Sequence, residues 1–189
     1  GTRVNVVPDY AEAHLSHVMF DSVQQAIKEK GLNNWIKAEE TSSGVLIKAF
    51  GVPAHAMQPK EGINAIQLLL CFLKELDFWP YDVKLFINLL ANKLDKETDG
   101  RTLGIECQDE ISGKLTMNVG TINYENMRAS IRFDIRYPVT EDAGIIIKKL
   151  EDFSLEAGAK FKIDQHKPPL HVNKDSLLIK KLKKVYEKM

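Results

Sequence analysis

The sequence lacks any long apolar segment, which excludes a membrane-spanning helix by the usual length criterion. Its longest apolar run, from Ile66 to Leu73, is interrupted by Gln67, whereas a helical span needs about 20 apolar residues. The first residues include Arg3 and Pro8 where a signal peptide would have its apolar core. We therefore expect no membrane partner.

Cysteine is scarce as well, with only two residues in the sequence. Two cysteines cannot build a disulfide framework, and a reducing compartment fits this composition better. A single bridge between Cys71 and Cys107 is the alternative. The sequence thus favours a cytoplasmic protein with free thiols.

Neither sign of charge is in excess, because 26 basic side chains are matched by 26 acidic ones. A general nucleic-acid-binding protein needs a basic face that displaces counterions from phosphates, so we expect no nucleic-acid partner.

The length suits one large domain or two small ones, with about 70% of the unfolded surface buried on folding.

Both ends of the chain suggest a piece of a longer polypeptide. Gly1 is not an initiator methionine, and Met189 interrupts a lysine-rich helical pattern that starts at Leu177. We expect an excised segment, with trimming of a disordered tail as the alternative.

Apolar spacing and end signals predict the helices. The first is expected from Asp9, where Asp9 and Glu12 form an acidic capping box, to Gly31. The segment from Asn64 to Phe78 is apolar nearly all round and is expected to be a buried helix. Further helices are expected beyond Pro80, from Thr140 to Gly158, and from Leu177 to Lys188.

Alternation of apolar and polar residues predicts the strands, at Val45–Phe50, Ile105–Cys107, Leu115–Tyr124, Met127–Tyr137 and Phe161–Ile163. Turn dipeptides separate the three in the middle, which indicates an antiparallel meander with one buried and one solvated face. Helices on one face of an antiparallel sheet make an α+β fold.

Familiar catalytic motifs are absent: H-x-D, H-E-x-x-H, C-x-x-C, G-x-S-x-G and phosphate-binding glycine loops do not occur. His14 and His17 lie on one predicted helix, but no Asp, Glu or Cys is placed to complete a metal shell with them. We interpret them as a surface pair and expect no metal ligand in this chain.

Three segments are difficult to explain as scaffold alone. Asn5 interrupts the apolar segment RVNVVPD, a costly position for an unpaired amide. His55 lies in the loop GVPAHAMQP, between prolines and glycines and just before the predicted buried helix. Arg136 lies on the polar face at the end of the last long strand, in DIRYP.

Together, RVNVVPD, GVPAHAMQPKEGINAI and SIRFDIRYP resemble the lid, or dimerisation, domain of the aminoacylase/carboxypeptidase-like zinc peptidases. Within that family the sequence is most similar to the bacterial PepV-type dipeptidases (Xaa-His dipeptidase or carnosinase-like). The pattern G-x-x-A-H-x-x-x-P-x-x-G-x-N-A is specific, and the segments follow the family's order over nearly the whole chain.

The resemblance implies an elongated α+β lid with ferredoxin-like halves at about 1–80 and 81–189. Residues 1–189 would then be the lid alone, excised from a larger metallodipeptidase whose catalytic domain supplies the ligands of two zinc ions. We therefore expect the isolated chain to be inactive, with its own catalytic domain in cis and a dipeptide as partners of the complete enzyme. Pro53 and Ala56 depart mildly from the family pattern and stiffen the loop of His55.

The resemblance also assigns roles to the three segments. It makes His55 a hydrogen-bond donor to the tetrahedral intermediate, Arg136 the group that grips the substrate's terminal carboxylate, and Asn5 an amide that contacts substrate. The ordinary alternatives are a packing role for His55, a cross-strand ion pair for Arg136 and a turn cap for Asn5.

The lid is long and has an additional helix and strands in the segment from Trp79 to Leu115. In this it resembles the monomeric branch of the family. This similarity implies a monomeric parent enzyme in which His55 serves its own active site. Two other functions stay open: a stand-alone ferredoxin-like module that senses a small molecule or dimerises, and the lid of a related deacylase or carboxypeptidase.

Overall fold

A computed structural model describes residues 1–77, 80–172 and 176–187 of the chain. The helices are α1 (Phe20–Glu29), α2 (Ala65–Lys74), α3 (Tyr81–Leu94), α4 (Ala143–Glu156) and α5 (Leu177–Tyr186). The strands are β1 (Tyr10–Ser16), β2 (Ile36–Thr41), β3 (Gly44–Phe50), β4 (Gln108–Asp109), β5 (Gly113–Lys114), β6 (Thr116–Glu125) and β7 (Arg128–Arg136). The predicted α+β class is confirmed.

The chain divides into two compact units. The first comprises Gly1–Glu106 and Leu115–Arg136, and the second comprises Cys107–Lys114 and Tyr137–Met189. Asn5, His55 and Arg136 all belong to the first unit.

The main sheet of the first unit is antiparallel, with its strands in the order β1-β3-β2. Its buried residues alternate along each strand, so that one face forms the core. They include Ala11, Leu15, Ile36, Ala38, Val45, Ile47 and Ala49. Helix α1 contacts β2, and α2 contacts β1 and β3. The element order β1-α1-β2-β3-α2 follows the ferredoxin-like pattern without its last strand.

The predicted helix beginning at Asp9 is wrong in its first half. Residues 10–16 form β1 and pair with β3 along their whole length, and α1 begins only at Phe20. The expected capping box does not form, since Glu12 accepts a hydrogen bond from the Tyr10 hydroxyl. Alternation of buried and exposed residues in β1 shows that cross-strand pairing overrides the helical spacing of the apolar residues.

Helix α2 is the buried helix that the sequence predicts. Asn64 caps it, because its Oδ1 accepts hydrogen bonds from the backbone N–H groups of Ile66 (2.9 Å) and Gln67 (3.3 Å). The helix ends at Lys74, and the predicted end at Phe78 lies outside the described residues. Helix α3, the amphipathic helix expected after Pro80, packs against α2.

Strands β6 and β7 form an antiparallel hairpin, which confirms both predictions. Its turn residues Asn126 and Met127 have φ values of 51° and 58°, as a tight I′ turn requires.

The predicted strand Ile105–Cys107 is wrong. The N–H group of Ile105 instead donates to the Gly100 carbonyl (3.0 Å), and the buried Ile105 side chain anchors a loop.

A bulge interrupts β6 between Val119 and Thr121. A Cβ atom on the intervening Gly120 would lie 2.3 Å from Cα of Val4. Because no side chain fits there, the glycine allows the N-terminal segment to cross close to the strand.

In the second unit, Asp142 rather than Thr140 caps α4, by accepting from the N–H group of Gly144 (2.7 Å). Gly158 ends this helix with a φ of 66°, as expected. Thr140 instead donates to Asp109, through its N–H group at 3.2 Å and its hydroxyl at 3.0 Å.

The predicted strand at Phe161–Ile163 is also wrong, since these residues form no strand and Ile163 is 45% exposed. A short apolar alternation makes a strand only where another strand pairs with it.

Both cysteines are free thiols. None of the helices in the described ranges is long and apolar enough to cross a membrane.

Candidate functional site

The loop that carries His55 connects β3 to α2 and is closed at its base. Val52 and Ile63 exchange two backbone hydrogen bonds of 2.9 Å each. A Cβ atom on the neighbouring Gly51 would lie 2.0 Å from the Ile63 carbonyl oxygen, so only glycine allows this closure. The glycine that opens the sequence pattern around His55 is therefore required by the backbone.

The same loop pairs with the N-terminal segment. His55 lies opposite Val6 in an isolated antiparallel bridge, and the N–H group of Val7 donates to the Ala54 carbonyl at 2.9 Å. Val7 is 1% exposed, whereas His55 is exposed. Alternation across this bridge thus directs the imidazole away from the core.

Asn5 lies next to this bridge. Its carbonyl oxygen accepts a hydrogen bond from the N–H group of Ala56 at 3.2 Å. The Asn5 side chain is exposed, and the hydrogen bonds of the described chain include none from its amide. The structure therefore brings Asn5 and His55 together on paired segments and leaves both side chains open to solvent.

The tautomer of His55 follows from one hydrogen bond. The backbone N–H group of Met57 donates to Nδ1 of His55 at 3.1 Å. A backbone N–H group can only donate, so Nδ1 is the accepting nitrogen and the neutral ring carries its proton on Nε2. The exposed side chain therefore offers an N–H donor at Nε2.

Arg136 ends β7 and forms an ion pair within its own strand. Its Nε donates to Oδ1 of Asp134 at 2.9 Å, and its Nη2 donates to Oδ2 of Asp134 at 3.4 Å. Residues two apart in a strand share a face, which explains the pair. Directly across the hairpin from Arg136 lies Thr116, an uncharged residue, so this pair is not cross-strand.

A buried amide connects these parts of the unit. Asn118, on β6, is 1% exposed, and its Nδ2 donates to the carbonyl oxygens of Val4 (2.7 Å) and Val6 (2.9 Å). Its Oδ1 accepts from Nδ2 of Asn64 at 3.3 Å. Asn118 also lies directly opposite Asp134 in the hairpin. Asn118 thus connects the N-terminal segment that pairs with His55 to Asp134, the ion-pair partner of Arg136.

Sequence reasoning missed the role of Asn118, although a signal was present. The residue lies between Met117 and Val119, both of which are 0% exposed. A primary amide within a buried apolar strand needs hydrogen-bond partners, by the argument that singled out Asn5.

The hydroxyl oxygen of Thr116 is a buried polar atom for which the described part of the chain provides no hydrogen-bond partner. Thr116 lies opposite Arg136 in the hairpin. An unpaired buried hydroxyl costs free energy, so this position is a weak point of the unit.

His14 and His17 do not lie on a helix. His14 is in β1, and its Nε2 is within hydrogen-bond distance of the hydroxyl oxygens of Thr41 (3.0 Å) and Ser43 (3.3 Å). Over the ranges 1–77, 80–172 and 176–187, no three His, Cys, Asp or Glu side chains are grouped so as to hold a metal ion. The described residues therefore do not fit a zinc site.

Comparison with known sequences supports the resemblance. Residues 37–162 match the family M20_dimer, the peptidase dimerisation domain. Relatives named "Putative dipeptidase" include YtjP of Bacillus subtilis (strain 168), which is 35% identical over 99% of this chain and 40% of its own length. SAR1836 of Staphylococcus aureus (strain MRSA252) is 28% identical over 98% of this chain and 40% of its own length.

The chain thus spans 40% of the length of the curated relatives it matches. The family match begins at residue 37 and ends at residue 162, so it includes His55 and Arg136 but not Asn5. Since this match covers more than half of the 189 residues, the chain belongs to the peptidase dimerisation domain family.

Proposed function

We propose that this chain is the substrate-binding lid of a zinc-dependent dipeptidase, in which His55 stabilises the tetrahedral intermediate and Arg136 and Asn5 bind the dipeptide. The names of the relatives support the substrate class. The observation that carries the proposal is the hydrogen bond from Met57 to Nδ1 of His55, which makes the exposed ring a donor at Nε2.

Hydrolysis of a peptide bond turns the carbonyl oxygen into an oxyanion. A donor that is already oriented stabilises this charge without reorganisation, and removal of one such donor typically costs about 10²- to 10³-fold in turnover. The loop of His55 meets this condition, because its base is closed by the Val52–Ile63 bridge and its middle pairs with Val6.

Arg136 suits the recognition of a carboxylate. A planar guanidinium forms two parallel charge-assisted hydrogen bonds with a carboxylate, a geometry that lysine cannot copy. The side chain is 38% exposed, so a ligand can reach it. The free terminal carboxylate of a dipeptide is the group that we assign to it.

The described residues include no group of three His, Cys, Asp or Glu side chains that could hold a zinc ion, so the metal chemistry would belong to the larger part of the relatives' length that this chain does not span. The roles proposed for this chain are therefore substrate binding, by Arg136 and Asn5, and stabilisation of the intermediate, by His55. We expect the chain to be inactive when isolated.

The test is His55→Ala in the complete polypeptide, assayed on a dipeptide with a free terminal carboxylate. We expect kcat to fall about 10²- to 10³-fold with a small change in KM. His14→Ala is the matched control, since His14 is an exposed histidine of the same unit whose ring lies within hydrogen-bond distance of the Thr41 and Ser43 hydroxyls. An unchanged kcat in the His55 variant would show that the donor role is wrong.

We further propose a cytoplasmic, monomeric parent protein in which His55 serves its own active site. Both cysteines are free thiols, as in proteins of reducing compartments. Gel filtration of the complete protein should give a monomer, and an obligate dimer would contradict the intramolecular role of His55.

A further inference from the structure

Asp134 forms the ion pair with Arg136, and the proposed function gives this carboxylate no role. We propose that Asp134 is a positioning residue that holds the guanidinium of Arg136 in the orientation that receives the substrate carboxylate. The inference rests on the carboxylate-binding role proposed for Arg136.

The geometry of the pair leaves a complete binding edge on the guanidinium. Asp134 occupies the edge formed by Nε and one hydrogen of Nη2, at 2.9 Å and 3.4 Å. The end-on edge, formed by Nη1 and the other hydrogen of Nη2, has no partner within the part of the chain that the structure describes. A carboxylate can therefore bind this second edge while the first stays on Asp134.

Asp134 lies on a well-bonded part of the hairpin. Asp134 lies opposite Asn118, which is 1% exposed and bonded through its amide to Val4 and Val6. The Asp134 side chain is itself only 16% exposed, compared with 38% for Arg136. We infer that the more buried carboxylate sets the direction of the more exposed guanidinium.

Two physical effects of Asp134 oppose each other, which makes the inference testable. Its negative charge repels a substrate carboxylate, so on charge alone its removal would strengthen binding. Its hydrogen bonds also fix a long, flexible side chain before the substrate arrives, which reduces the entropy lost on binding. We infer that the second effect is larger.

The experiment measures kcat and KM of the complete polypeptide on a dipeptide with a free carboxylate and on its C-terminal amide. Asp134→Ala should raise KM for the free acid about tenfold, leave kcat nearly unchanged and leave the amide unaffected. Asp134→Asn, whose side-chain oxygen still accepts from Nε, should restore KM to within about threefold of the native value. A KM for the free acid that is unchanged or lower in Asp134→Ala overturns the inference.

Asp77→Ala is the matched control. Asp77 pairs with Lys84 at 2.8 Å in the same unit, and its side chain is 90% exposed. Its loss should change neither KM. If Asp134→Ala does not fold, Asp134→Ser, which is too short to reach the guanidinium, takes its place with the same expected KM.

Arg136→Ala, measured in parallel, distinguishes the carboxylate-binding role of Arg136 from the positioning role of Asp134. If this variant leaves KM for the free acid unchanged, the carboxylate role of Arg136 fails. If it raises KM while Asp134→Ala does not, only the positioning role of Asp134 fails. In the double variant Asp134→Ala/Arg136→Ala, KM should equal that of Arg136→Ala, and a further increase would contradict action through Arg136.

Discussion

Asn118 donates a 2.9 Å hydrogen bond to the carbonyl oxygen of Val6, the residue that lies opposite His55. The second hydrogen of the same amide binds Val4, and its oxygen accepts from Asn64. All of these contacts are made by a side chain that is 1% exposed. The segment that pairs with the His55 loop is therefore fixed to β6 by a buried polar contact.

Asn118→Ala should lower the free energy of unfolding by about 3 kcal/mol, because it removes a buried side chain and leaves the partly buried carbonyl groups of Val4 and Val6 without a donor. Urea unfolding measures the loss. Asn123→Ala is the control, since Asn123 is an exposed asparagine of the same strand. If the two variants lose equal stability, the contacts of the Asn118 amide do not carry the stabilisation.

Gly120→Ala should displace the N-terminal segment, since the new Cβ atom would lie 2.3 Å from Cα of Val4. Overpacking against backbone costs about 1–3 kcal/mol. Hydrogen exchange of the Val7 and Ala56 amides should accelerate, because both join that segment to the His55 loop.

Gly144→Ala provides the comparison for Gly120→Ala. Gly144 lies in helix α4, where the nearest atom to a new Cβ is a side-chain oxygen of Asp142 at 3.2 Å. Gly144 lies in the first turn of the helix, where alanine also has a higher helix propensity than glycine, so this variant should be neutral or slightly stabilised. Unchanged exchange rates in Gly120→Ala would show that the segment tolerates a side chain at the bulge.

The elements that the sequence predicts correctly are those whose pattern is complete within a short window. Helix α2 is apolar nearly all round, and the sequence of β7 alternates between polar and apolar residues over its full length. The strand forms as predicted, although none of its residues is buried, so the expected buried face is wrong for β7. In β1 the same local reasoning fails, because Leu15 also fits the helical spacing of the residues that follow it. Only the pairing of β1 with β3, which lies some 30 residues away, decides between the two structures.

The candidate site shows the same limit. Asn5 and His55 stand out in sequence because each interrupts an apolar or glycine-rich segment. The apolar neighbours of Asn118 indicate that its amide needs partners, but those partners, Val4 and Val6, are 114 and 112 residues away and cannot be identified from a local pattern. Strand β2 was missed for a related reason: it contains few apolar residues and is stabilised by pairing with β3.

The stability of the first unit should depend on pH through Glu97. This carboxylate is 5% exposed and accepts hydrogen bonds from the N–H groups of Asp99 (2.8 Å), Gly100 (2.9 Å) and Thr102 (2.9 Å). Burial by itself raises the pKa of Glu97, but the hydrogen bonds from Thr102 and Asp99 outweigh it and lower the pKa to about 2.

A folded-state pKa below the ordinary value of 4.5 means that ionised Glu97 stabilises the fold above pH 4.5. That contribution is lost as the pH falls from 4.5 to about 2. Glu97→Gln should therefore lower the free energy of unfolding at neutral pH. It should also reduce the slope with which that free energy falls below pH 4.5, measured by urea unfolding at a series of pH values. Glu110→Gln, at an exposed position, should leave this slope unchanged. If the slope in Glu97→Gln equals that of the native protein, other groups cause the acid sensitivity.

Thr116→Val should stabilise the protein, because valine keeps the shape of threonine and removes a buried hydroxyl that has no partner among the described residues. We expect a gain of about 1 kcal/mol, or an increase in Tm of about 2–4 °C, measured by thermal unfolding. Thr102→Val is the opposite case, since the Thr102 hydroxyl is bonded to Glu97 at 2.8 Å and its loss should destabilise the fold. If Thr116→Val also lowers Tm, the hydroxyl has a partner in solution.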